Sequence, residues 1–193
     1  MRTLEVIQNE VASCTKCGLH STRTQTVFAR GSQFASIAIV GEAPGEDEDL
    51  QGLPFVGRSG QLLDKLLTEA GLDVKNDIYV CNVLKCRPPN NRRPTAEESD
   101  RCLPYLEEQV SLVHPKILIV LGNTAVENLL GFQQGISKVR GRFYNWYFHG
   151  KKTLAMPTYH PSYLLRNGND DSEPRQQFRK DIAAALDKLK ELS

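Results

Sequence analysis

Three segments of the chain carry residues whose types and spacing could do chemistry. Gly41-Glu42-Ala43-Pro44-Gly45 is a glycine-rich turn, and an acidic run, Glu46-Asp47-Glu48-Asp49, follows it. Glycines let a backbone approach a ligand closely, and the proline stiffens the turn. Phe55, in the Gly/Pro-rich stretch Leu53-Pro54-Phe55-Val56-Gly57, is suited either to stacking on a planar base or to plugging the core. Asn82 offers an amide donor and acceptor that can match the edge of a nucleobase, or can simply end a strand in a turn. His160-Pro161-Ser162 puts an imidazole on a loop, because the proline disfavours helical backbone before it. No Gly-x-Ser-x-Gly pattern or neighbouring Asp accompanies that histidine, so a hydrolase triad has little support. Leu164-Leu165-Arg166 next to it can wedge into a base stack and hold a phosphate, or start a short helix.

Five cysteines form a separate signal. The odd count argues against a disulfide framework, whereas Cys14 and Cys17 form a C-x2-C pair. Cys86 and Cys102 are separated by fifteen residues, and Cys81 stands apart in an apolar stretch. A four-cysteine zinc site generally uses two close pairs. Ligands from separate elements suit a larger cluster, and the spacing leans toward [4Fe–4S] over zinc.

The elements that must position these residues follow from periodicity. Leu4, Ile7 and Val11 share one face of a first helix leading to the C-x2-C pair. Apolar runs at 36–40, 77–83 and 116–121 read as buried strands, with further strands around 143–147 and 153–156. Ser59 is expected to cap a helix carrying Leu62, Leu63, Leu66 and Leu67, ending at Gly71. Thr95 and Glu98 form a capping-box pattern opening a helix to about Val113, another helix follows Gly122, and a last one runs from Ser172. Alternating strands and helices predict one three-layer α/β/α domain over residues 1–193, with a central, mostly parallel four-stranded sheet. Ligands of such sheets bind beyond the carboxyl ends of the strands, where 41–44, 82–86, 122–124 and 157–162 would converge.

Bulk properties exclude more than they assign. No segment approaches the roughly 20 apolar residues that cross a bilayer, and the N-terminus lacks an apolar signal core, so a cytoplasmic protein with no membrane partner is expected. The net charge of +1 is too small to mark a nucleic-acid coat. Basic residues nevertheless cluster at Lys85, Arg87, Arg92 and Arg93, and again at Lys138, Arg140 and Arg142, where a few phosphates or plain solvent would be served equally well. No heptad or apolar stripe demands an oligomer, so a monomer is expected.

Taken together, GEAPGEDEDLQGLPFVGRSGQLLDKLL at 41–67, NVLKCRPPNNRRP at 82–94, HPSYLLR at 160–166 and the four cysteines resemble the family 4 uracil-DNA glycosylases, the iron–sulfur branch of their superfamily. The resemblance covers nearly the whole chain. It implies flipping of deoxyuridine out of DNA and hydrolysis of its N-glycosidic bond. It also implies a [4Fe–4S] cluster on Cys14, Cys17, Cys86 and Cys102, leaving Cys81 in the core. Phe55 would stack on uracil, Asn82 would read its edge, and His160 would donate to O2, with Glu42 and Ala43 also lining the base. Glu42 or Glu48 would orient the attacking water, because Ala43 stands where many relatives have Asp or Asn. Arg58, Ser59, Arg87, Ser162 and Leu164-Leu165-Arg166 are the expected DNA contacts. A sister branch traps uracil-DNA covalently through a loop histidine, but 137–143 reads Ser-Lys-Val-Arg-Gly-Arg-Phe, so turnover is expected. A binding module with a structural metal and no excision activity is the remaining alternative.

Overall fold

The computed structural model describes residues 2–148 and 150–192. Its sheet is built on β2 (Ile37–Gly41), β3 (Ile78–Asn82), β4 (Ile117–Leu121) and β6 (Lys151–Thr158), which run parallel in the order β3-β2-β4-β6. Two antiparallel strands complete the edges, β1 (Arg30–Gly31) beside β3 and β5 (Tyr144–Phe148) beside β6. The sheet therefore has six strands where the sequence suggested four. β1 is two residues long, too short to leave a periodic signal.

The three central strands β2, β3 and β4 are buried at every position, as expected of parallel strands covered on both faces. Alternate residues supply two separate cores. Ile37, Ile39, Ile78, Val80, Ile117 and Ile119 pack with Leu63, Leu66 and Leu67 of α3 (Arg58–Glu69) and Phe178 and Ile182 of α8 (Glu173–Glu191). Ala38, Val40, Tyr79, Cys81, Leu118 and Val120 pack on the opposite face against α4 (Ala96–Val113) and α5 (Gly122–Leu130). Cys81 is thus a core residue.

Local chemistry sets the element ends. Thr95 Oγ1 accepts the Glu98 N–H while the Glu98 carboxylate accepts the Thr95 N–H, closing the capping box of α4. α3 begins at Arg58 with Gly57 as its N-cap, so Ser59 lies within the first turn and is not the cap. The acidic run forms α2 (Glu46–Gln51), whose first-turn carboxylates suit the positive end of a helix. α1 (Leu4–Ala12) packs on α4, and a short helix α6 (Ile136–Val139) lies beside β6. Among the described residues no helix is long and apolar enough to cross a membrane.

Candidate active site and cysteine cavity

At the carboxyl ends of the strands lies a cavity of about 540 Å³, walled in part by Glu42, Ala43, Phe55, Asn82, Gly122 and His160. The period of two along a strand explains its composition. Gly41 and Asn82 continue the rows Ile37–Ile39 and Ile78–Val80, so they emerge on the α3 face. They stand opposite one another in register. A Cβ on Gly41 would lie 2.4 Å from Phe55 Cζ and 2.5 Å from Asn82 Oδ1, so glycine is what lets the ring and the amide meet there. Asn82 is only 2% exposed, and its Oδ1 has no hydrogen-bond partner among the described residues. Unpartnered buried acceptors are rare in native proteins, and this one lies on the cavity wall.

Phe55 holds a left-handed backbone, φ 56°, and its ring centroid is 5.7 Å from that of His160. Such a conformation is uncommon for a bulky residue and must be held from outside. Glu48 holds it from one side, accepting from the N–H groups of Val56 and Gly57 through Oε1 and of Gly45 through Oε2. Arg30 holds it from the other, donating to the Pro54 carbonyl. Glu48 is therefore a staple between the 41–45 turn and the Phe55 loop. Glu48→Ala leaves those donors without their acceptor and is expected to cost roughly 2–4 kcal/mol, read from urea unfolding, with Glu48→Gln intermediate.

His160 is the N-cap of α7 (Pro161–Arg166). Its Nδ1 accepts the Ser162 N–H at 3.1 Å, which puts the neutral ring's proton on Nε2. Burial and the nearby Arg166 charge push its pKa down to about 4. A Cβ on Gly122, which holds φ 84°, would lie 3.0 Å from His160 Cβ, so a side chain there would be strained and would press on the imidazole's base.

A second, small cavity lies behind the 41–45 turn. Cys14, Cys17, Cys86 and Cys102 all line it, together with Arg23 and Lys85. Among the described residues no three His, Cys, Asp or Glu side chains are grouped as a single metal ion requires. N–H donors reach the sulfurs: Arg23 Nη1 is 3.4 Å from Cys86 Sγ, and the Lys85 N–H is 3.3 Å from Cys102 Sγ. Lys85 itself is 1% exposed, and its ammonium donates to the Asn82 carbonyl at 2.7 Å. Burial pushes the Lys85 pKa down, and the thiols of Cys81, Cys102 and Cys86 oppose that shift. The segments that line the two cavities are tied together, because the Val83 and Leu84 N–H groups donate to the carbonyls of Gly41 and Glu42.

Comparison with known proteins matches residues 28–187 to the uracil DNA glycosylase superfamily. The chain is 45% identical over 188 residues to a type-4 uracil-DNA glycosylase of Thermotoga maritima, covering 97% of this chain and 95% of that protein. It is 43% identical to the type-4 enzyme of Archaeoglobus fulgidus, covering 93% of this chain and 92% of that protein. The chain belongs to the type-4 uracil-DNA glycosylase family. A type-5 uracil-DNA glycosylase of Pyrobaculum aerophilum is 32% identical over a shorter stretch, 71% of this chain and 66% of that protein.

In this type-4 family member the residues singled out from sequence are distributed unevenly. Glu42, Ala43, Glu48, Phe55, Ser59, Asn82, His160, Ser162 and Arg166 all line the larger cavity. Arg58 is exposed, outside that lining. Arg87 faces Glu46 at 3.6 Å and donates to Asn91 Oδ1 at 2.7 Å. Within the basic clusters, Arg92 is paired with Glu98, Arg93 with Glu127 and Arg140 with Asp181, and Lys85 is buried. Leu164 departs most from the sequence reading. It is 0% exposed in the core with Phe178 and so is not presented as a wedge, whereas Leu165 is half-buried against the edge of the same core. Sequence reasoning missed Asn91, Tyr159 and Tyr163 on the cavity and Arg23 beside the cysteines. None of these sits in a spacing that marks it.

Proposed function

We propose that this chain, acting as one unit over 1–193 and as a monomer inside the cell, excises uracil from DNA, leaving an abasic site. The observation that carries the reading is the unpartnered Oδ1 of Asn82, buried against Phe55 in the cavity that also contains His160. An acceptor there suits the N3–H of uracil, with the amide NH2 donating to O4. Cytosine reverses that pattern and would leave donor against donor and acceptor against acceptor. Phe55 would stack on the flipped base.

As the glycosidic bond breaks, its electron pair leaves with uracil, and the sugar becomes cationic. His160, neutral with its proton on Nε2, would donate to the O2 atom on which charge gathers. A preorganised donor of this kind needs no reorganisation at the moment of reaction. Of the two acidic candidates, Glu48 spends both oxygens on backbone N–H groups, which leaves Glu42 to orient water and face the sugar. Glu48 is then a positioning residue. Ser59, Ser162 and Arg166 on the cavity wall, with Arg58 and Arg87 beyond it, would contact the DNA backbone.

Cys14, Cys17, Cys86 and Cys102 would hold the [4Fe–4S] cluster expected of the family. The residues present suit an anionic group. Lys85 is a buried ammonium whose ionisable neighbours are cysteine thiols, and Arg23 and the Lys85 N–H aim at two of the four sulfurs. A buried cation of that kind is stabilised by a net negative charge beside it. The cluster's part is structural, holding the N-terminal segment to the loop after β3. Anaerobically purified protein is expected to be brown, with about four irons per chain; colourless protein containing zinc would refute the assignment.

The activity is tested by incubating the chain with a labelled oligonucleotide containing one deoxyuridine, then treating with alkali. Strand scission at that position is expected. An SDS-stable adduct would indicate a covalent trap, and intact DNA a binding module; either overturns the reading.

A further inference from the structure

The peptide that joins Asn82 to Val83 is gripped from both sides. Its N–H, on Val83, donates to the Gly41 carbonyl at 2.9 Å, and its carbonyl, on Asn82, accepts from the Lys85 ammonium at 2.7 Å. That plane carries the Cα of Asn82, so its tilt sets where the buried amide lies on the wall of the larger cavity. Lys85 is fixed in turn. Its N–H lies 3.3 Å from Cys102 Sγ, its carbonyl accepts the Val27 N–H at 2.8 Å, and Cys86 follows it in the chain. One residue therefore touches both the backbone of the reading amide and the cysteine cavity.

A lysine this deep calls for a counter-charge. It is 1% exposed, its Nζ stands 6.0 Å from the Phe28 ring centroid, and the ionisable groups that act on it are the thiols of Cys81, Cys102 and Cys86. Methionine, flexible and apolar, would fill such a gap with no charge to desolvate. A buried ammonium left without a partner is strongly destabilising. Of the three thiols, those of Cys86 and Cys102 line the cysteine cavity, so a negative group held there would stand beside the ammonium.

We propose that Lys85 is a positioning residue for uracil recognition, its ammonium held by the negative charge of the filled four-cysteine site and itself holding the Asn82 carbonyl. The filled site thereby sets how uracil is read, although the cysteines line a separate cavity. The proposal rests on the readings of the chain as a uracil-excising enzyme and of the four cysteines as cluster ligands.

The test uses the anaerobically purified full chain with Lys85→Met, which drops the charge, and Lys85→Arg, which keeps it. Two oligonucleotides serve as probes, one with a 2′-fluorinated deoxyuridine that resists excision and one with deoxycytidine in its place. Lys85→Met is expected to shift the midpoint potential of the iron centre to more negative values, since a nearby positive charge favours the added electron. Its binding preference for the uracil probe over the cytosine probe should fall about tenfold, the scale of one hydrogen bond, with cytosine-probe affinity unchanged. Lys85→Arg should keep the potential near that of the parent. An unshifted potential or an unchanged uracil preference in Lys85→Met would each overturn the proposal. Should Lys85→Met fail to fold or to hold iron, Lys85→Arg decides: retained iron and uracil preference support the role of the charge, and loss of either overturns it. A parent chain that contains no iron, or binds both probes equally, would instead sink the readings beneath the proposal.

Discussion

Replacing His160 with alanine is expected to slow single-turnover release of uracil by about 10²–10³-fold, the range found when one preorganised donor to a developing anion is removed. Binding of a deoxyuridine oligonucleotide should change far less, because Phe55 and Asn82 still form the walls of the pocket. The size of the effect follows from the state of the ring. Nδ1 is occupied by the Ser162 N–H, so Nε2 carries the proton and no protonation step precedes donation. The imidazole's pKa lies near 4, below its usual 6.5. As far as this group is concerned, the excision rate should be flat from pH 8 down to about 5.5 and change only as Nδ1 itself becomes protonated.

The same depressed value makes a stability prediction. Between about pH 4 and 6.5 the unfolded chain binds more protons at this position than the folded one. The contribution of neutral His160 is thus fully present above 6.5 and lost as the pH falls toward 4, amounting to roughly 3 kcal/mol over the window. Urea unfolding at pH 7 and pH 4.5 should show His160→Ala losing less stability on acidification than the parent chain. Equal losses would mean that the ring is not held neutral by its surroundings.

The parts legible in the sequence are those written in a repeated pattern. Strands β2, β3 and β4 are apolar at nearly every position because both faces are covered, and the capping box of α4 names its own helix start. Once those strands and β6 are set, Gly41, Asn82 and His160 fall at or just beyond the carboxyl ends of β2, β3 and β6, so much of the site follows from topology. Features that depend on a single distant contact were not legible. Glu48 looks like one of four acids in a run, and only the fold brings the N–H groups of Val56 and Gly57 onto it. Lys85 looks like part of a basic patch, yet it lies buried between the cysteine cavity and the Asn82 carbonyl. α7 is six residues long, too short for periodicity to tell which side is inward, so both leucines looked available to DNA. Its orientation is decided by α3 and α8, through the core that takes in Leu164.

Gly41→Ala should lower kcat/KM by about 10²-fold or more, the scale expected when reacting groups are misplaced by about an ångström. The added methyl would stand 2.4 Å from Phe55 Cζ and 2.5 Å from Asn82 Oδ1, so both must give way. Neither can do so freely. Phe55 is 6% exposed in a left-handed loop stapled by Glu48, and Asn82 is fixed in register by its place in β3. The fold itself should survive, since overpacking of this kind costs about 1–3 kcal/mol. Gly135→Ala is the control, because nothing lies within 4 Å of its added Cβ, and it should keep parental activity. If Gly41→Ala retains full activity at unchanged stability, the stacking ring and the reading amide do not depend on the space left open over Gly41. A large fall in kcat/KM alongside a small change in unfolding midpoint would show that this glycine serves the pocket more than the sheet.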